Sequence, residues 1–113
     1  MQVQTVTNAG ITIVSIAGEI NGRTALQLEG GMAFWPHTGR VLLDLSEVSY
    51  LSSAGLRTLL LIHRRVLGEN GRLVLVGVAP MIADTMKVTG FLRYFVLVAT
   101  RDDAQAILGA IGA

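Results

Sequence analysis

Val41-Leu42-Leu43-Asp44-Leu45-Ser46-Glu47-Val48-Ser49-Tyr50-Leu51-Ser52-Ser53-Ala54-Gly55-Leu56-Arg57 is the stretch that decides the fold. Val41 to Leu45 is a near-continuous apolar run, the pattern of a strand covered on both faces rather than one. A short loop is expected after it, and Ser52-Ser53 then stand immediately before a helical pattern. Hydroxyls are thereby placed at a strand-to-helix junction, where free backbone N–H groups and the positive end of a helix dipole converge. Negative charge is well tolerated at such a place.

Capping alone accounts for a serine here and stabilises a helix by about 1 kcal/mol. Ser52 is the better N-cap, which leaves Ser53 on the first turn with its hydroxyl toward solvent. Phosphorylation of Ser53 would add about −1.5 to −2 charges beside unsatisfied amides, changing the surface potential without changing the fold. In the helix that follows, Leu56, Leu59, Leu60, Val66 and Leu67 form a broad apolar sector expected to face the sheet. Ser53, Arg57, Leu61 and Arg64 share another sector, with Arg65 at its edge. An apolar residue ringed by arginines, in line with a serine at the helix start, suits docking to an acidic partner.

Working outward, Val3 to Thr7 and Ile11 to Ala17 alternate apolar and polar residues around an Asn8-Ala9-Gly10 turn, predicting an antiparallel hairpin. Gly18 to Gly22 breaks the pattern, and Thr24 is expected to cap a helix from Ala25 to about Phe34 that Pro36 stops. Leu28, Met32 and Trp35 have helical spacing in it. Beyond the central stretch, the second helix should end near Leu67, at Gly68 or Asn70-Gly71. Leu73 to Val76 reads as another doubly covered strand, and Pro80 opens a helix to about Val88, closed by Gly90. Tyr94 to Val98 is a last strand, and Asp102 or Asp103 opens a terminal helix through Ile111. Strands alternating with helices predict one α/β domain over residues 1–113: a mixed, mostly parallel sheet of about five strands with flanking helices, the first strand antiparallel.

Composition narrows the function. The chain has 113 residues, 51% hydrophobic and 15% charged, enough for one well-buried core. Apolar stretches are interrupted too often to span a bilayer, and the N-terminus lacks the pattern of a signal peptide, so a cytoplasmic protein is expected. A net charge of +1, with basic residues not interleaved with aromatics, argues against nucleic-acid binding. There is no cysteine. His37 and His63 lie in different elements with no acidic partner in sight, Asp102-Asp103 reads as dipole complementation, and no Gly-rich phosphate loop precedes a lysine. The expectation is a protein that is not an enzyme and holds no metal or cofactor.

Gly18-Glu19-Ile20-Asn21 after a strand, Val41 to Ser46, Tyr50 to Leu56, Leu73-Val74-Leu75-Val76-Gly77 and Thr89-Gly90-Phe91 together resemble the STAS domain of bacterial anti-sigma-factor antagonists, over essentially the whole chain. The resemblance implies partner switching. The unphosphorylated domain binds a serine protein kinase that acts as an anti-sigma factor or analogous switch. Phosphorylation of a serine at the start of the second helix releases it, and a metal-dependent serine phosphatase resets it. Carried onto this chain, the acceptor is Ser53, with Ser52 as second choice. The partner-binding set is Asn21, Ser52, Ser53, Ala54, Gly55, Arg57, Leu61 and Arg64. Many members carry aspartate where Ser52 and Asn21 stand here, and a hydroxyl residue where Ala54 stands. Fewer acidic neighbours mean less repulsion of a phosphate. Two other functions go with the same family: a non-phosphorylated STAS subunit of a lipid-transport ABC ATPase complex, and a sensory module for a small apolar ligand. The chain is expected to be a monomer or weak dimer.

Overall fold

The two alternating runs at the N-terminus pair as expected. In the computed structural model, which describes residues 1–35 and 39–110, strand β1 (Gln2–Asn8) lies antiparallel to β2 (Ile11–Ile20) in unbroken register from Gln2↔Ala17 to Asn8↔Ile11. Ala9 (φ 52°) and Gly10 (φ 77°) form the two-residue turn, both in the left-handed region that a type I′ hairpin demands.

Three further strands, β3 (Arg40–Leu51), β4 (Arg72–Val76) and β5 (Val96–Val98), add in parallel, giving one sheet in the order β1-β2-β3-β4-β5. Helices α1 (Gly22–Gly31), α2 (Ser53–Gly68) and α3 (Pro80–Val88) connect the parallel strands, and α4 (Arg101–Ala110) follows β5. Right-handed crossovers that always step the same way along a sheet place their helices on one face. That face carries the larger core: Val14, Ile16, Val41, Leu43, Leu45, Leu73 and Leu75 meet Leu28, Leu56, Leu59, Ile62 and Met86. The last helix covers the opposite face, where Ile11, Ile13, Leu42, Val74 and Val76 meet Ala104 and Leu108. This two-sided covering is why β3 and β4 read as continuous apolar runs.

Several boundaries differ from the sequence expectation, each for a local reason. The strand at Val41 does not end in a loop; β3 continues to Leu51. Against β2 its register slips between Ser15 and Ala17 and again between Gly18 and Glu19. Each slip inserts one extra β3 residue, so Val48 and Leu51 fall on the core face three apart and the period-two signal is lost. The same irregularity carries β2 past Ala17 to Ile20, with Gly18 at φ 104°. Thr24 is not the cap of α1: Asn21 is, and Thr24 is its third residue. The first helix also narrows to a 3₁₀ turn at Met32–Phe34. Residues 92–94 form a 3₁₀ turn, so β5 starts at Val96 rather than Tyr94. The terminal helix starts at Arg101, before either aspartate, with the Thr100 hydroxyl accepting from the Asp103 amide at 3.1 Å. The stop at Pro36, the histidine at 37 and the end at Ile111 lie outside the described residues.

Asp44, the one carboxylate buried in β3, ties α4 to the sheet. Arg101 donates from Nε to Asp44 Oδ2 at 2.7 Å and from Nη2 to Ser15 Oγ at 2.8 Å. The Ser46 amide and hydroxyl donate to Asp44 Oδ1 at 3.0 and 2.7 Å. Burial pushes the Asp44 carboxyl up, but the Ser46 bonds and the Arg101 guanidinium outweigh it and hold it below the usual carboxylate range.

Candidate functional site

Parallel pairing of β2 with β3 sets Ile20 beside Leu51, so the helices that follow begin side by side at one end of the sheet. The Ser52 amide donates to the Ile20 carbonyl at 2.9 Å, joining the two exits. Each helix then has its own cap. Asn21 Oδ1 accepts from the amides of Arg23 (3.0 Å) and Thr24 (3.1 Å), while Thr24 Oγ1 accepts from the Asn21 amide at 2.8 Å, a reciprocal capping box. Ser52 Oγ accepts from the Gly55 amide at 3.1 Å. Two adjacent helix N-termini point positive ends at the same patch of solvent.

Ser53 is the first residue of α2 and is exposed. Its neighbour's hydroxyl is committed to the cap, whereas the Ser53 and Ala54 amides precede the first intrahelical acceptor. Ala54 is half-buried against the core. Gly55, also in the expected partner-binding set, is buried. A Cβ there would sit 2.6 Å from Leu51 Cδ1 and 2.8 Å from the Ile20 carbonyl oxygen. The residue lets α2 seat closely on the two strand ends.

Along α2, Arg57, Leu61, Arg64 and Arg65 are all exposed, Leu61 at 42%. The structure therefore brings Ser53, Arg57, Leu61 and Arg64 onto one solvent face, with Asn21 and Ser52 at its head. The opposite sector is less broad than expected. Leu56, Leu59 and Val66 are buried and Leu60 is half-buried, but Leu67 is exposed. It sits on the last turn of α2, beside a sheet edge whose strand is only three residues long. Ile62 fills the core instead.

Two exposed apolar residues on the elements that lead to this junction were not singled out from sequence. Leu26 is 70% exposed on α1, the helix packed against α2, and Tyr50 is 52% exposed near the end of β3. Leu26 lies one residue past Ala25 and off the Ala25–Leu28–Met32 stripe, a signal that was available. Tyr50 was hidden by the register slips. His63 is half-buried, its ring edge-on to Phe95 with centroids 5.3 Å apart, and burial lowers its pKa. Among the described residues no cluster of His, Cys, Asp and Glu fits a metal ion, and no helix is long and apolar enough to cross a membrane.

The STAS domain family model matches residues 2–104. A Bordetella bronchiseptica protein named as a candidate anti-sigma factor antagonist, BtrV, is 36% identical over 99 residues, covering 86% of this chain and 85% of that protein. The crystal structure of an anti-sigma factor antagonist from Mycobacterium paratuberculosis superposes with a TM-score of 0.82 at 29% identity, covering 96% of this chain and 93% of that one. A Thermotoga maritima structure, named as a candidate protein of the same kind, gives a TM-score of 0.88 over 95% of this chain and 94% of that one; at 16% identity it speaks to the fold alone.

Proposed function

This chain belongs to the STAS domain family, and from that premise we propose that it is an anti-sigma-factor antagonist switched by phosphorylation of Ser53. The proposed partner is a serine protein kinase acting as an anti-sigma factor or an analogous switch, with a metal-dependent serine phosphatase as the resetting enzyme. The chain itself works as a binding protein without catalysis.

The observation that carries the reading is the division of labour at the junction. Ser52 is held as the cap, and Ser53 stands exposed at the head of the Arg57–Leu61–Arg64 face. Unphosphorylated, that face offers an apolar anchor and several cations to an acidic surface. A phosphate on Ser53 would bring about −1.5 to −2 charges. Arg57 is one helical turn away, so it would turn toward that phosphate and be lost to the partner. The helix, already capped and fixed by Gly55, has no reason to unfold. Release then follows from surface charge alone.

Phosphopeptide mass spectrometry on protein recovered from its native host tests this, because cleavage after Arg40 and Arg57 isolates the junction on one peptide. Phosphate on Ser53 that varies with growth or stress is the expected result. Its absence in every condition, with phosphatases inhibited during recovery, would sink the switch and leave a constitutive subunit of a lipid-transport ATPase complex as the better account.

A further inference from the structure

We propose that β1 is a self-pairing edge: two copies of this chain join through β1 strands lying antiparallel about a two-fold axis at Thr5, making one continuous sheet. The strand closes one side of the sheet, and all seven of its residues are exposed. An edge of this kind presents a row of unpaired amides and carbonyls, and proteins that stay apart blunt it with charge, proline, bulges or extreme shortness. Strand β1 has none of these. Gln2-Val3-Gln4-Thr5-Val6-Thr7-Asn8 contains no ionisable residue and no proline, and its pairing with β2 runs without a register shift. The opposite edge differs: β5 is three residues long, with a 3₁₀ turn just before it.

The occupant that fits is a second copy, because the strand is complementary to itself. About Thr5, the facing pairs are Gln2 with Asn8, Val3 with Thr7, Gln4 with Val6, and Thr5 with its own image. Val3, Thr5 and Thr7 share one face of the strand, so each copy contributes three β-branched residues to a common patch, the side chains that pair best across strands. On the other face amides meet amides or valine. Neutrality decides between occupants: nothing directs an acidic or basic partner strand here, and no like charges oppose one another in the homodimer. A single strand pair buries less than a standard interface, so association is weak and reversible.

Analytical ultracentrifugation of the full chain is expected to show a monomer–dimer equilibrium with a dissociation constant between about 1 µM and 1 mM. Thr5→Lys, which sets two ammonium groups across the axis, should weaken it at least about tenfold while circular dichroism stays unchanged. The chain lacks cysteine, so Thr5→Cys gives a second readout that does not rest on the lysine variant folding. Facing residues of an antiparallel pair have Cα atoms about 4.5 or 5.5 Å apart, within disulfide range. Mild oxidation should convert Thr5→Cys to a covalent dimer and leave Leu61→Cys monomeric. A wild-type chain that stays monomeric at about 1 mM would overturn the proposal and leave the edge to a strand of another protein. A dimer that cross-links through Leu61→Cys and not Thr5→Cys would overturn it too, placing the contact on α2.

Discussion

Replacing Ser52 by alanine removes the hydroxyl that accepts from the Gly55 amide, and the expected loss is about 1 kcal/mol, several degrees of melting temperature. Ser53→Ala next door leaves that cap bond in place at an exposed position and should stay within about 0.5 kcal/mol of the wild type. If melting curves ranked the two the other way, the cap would be misassigned. Ser53→Asp carries the functional weight: it should keep the fold and lose the proposed kinase partner in a pull-down, and undiminished binding would refute the charge mechanism. Gly55→Ala belongs to a different class. The Ile20 carbonyl at 2.8 Å from the new methyl group is backbone and cannot swing aside, so a loss of about 1–3 kcal/mol is expected in chemical denaturation.

For α2 as an element, the test is separation of binding from stability. Leu61 is 42% exposed, so Leu61→Ala should move the unfolding free energy by no more than about 0.5 kcal/mol. Its partner affinity should fall about tenfold, or about 1.4 kcal/mol, measured by calorimetric titration. A large stability loss with intact binding would put that face in the core. The β1–β2 hairpin offers an improvement instead. Ala9 holds a positive φ of 52° beside Gly10, a conformation that costs a residue with a Cβ about 1 kcal/mol and that asparagine tolerates. Ala9→Asn should therefore raise the melting temperature, and a decrease would mean the turn has another form in solution.

Across the whole molecule, stability depends on acid. The unfolded Asp44 carboxyl titrates near its ordinary value of 3.8, and the folded state takes up that proton only at lower pH. Its ion pair and Ser46 bonds are fully present above that value and are lost as pH falls through the lower folded value. His63 acts in the same direction at milder pH. Its folded pKa lies below 6.5 because burial disfavours the imidazolium, so the unfolded chain takes up the proton first and stability falls as pH drops under that value. Denaturation midpoints should fall from neutral pH downward. Asp44→Asn should start lower at neutral pH and lose less below about pH 4, whereas His63→Gln should flatten the decline between about pH 7 and 5. An Asp44→Asn chain as acid-sensitive as the wild type would show that α4 is not held by this carboxylate.

Strand and helix alternation, the doubly covered pattern of Val41 to Leu45, the cap at Ser52 and the sector holding Ser53, Arg57, Leu61 and Arg64 were all legible in the chain, because each depends on neighbours within a turn or a strand. The features that escaped depend on distant residues. The continuation of β3 through Ser46–Leu51 is visible only once β2 supplies the register in which extra residues become bulges. Asn21 becomes a cap because the extended β2 ends at Ile20. The Asp44–Arg101 pair joins residues 57 positions apart, and the adjacency of Asn21 with Ser52 arises from parallel pairing. Periodicity and capping are written locally in a sequence. Register, edge length and ion pairing are settled where separate stretches meet, and only the tertiary structure decides them.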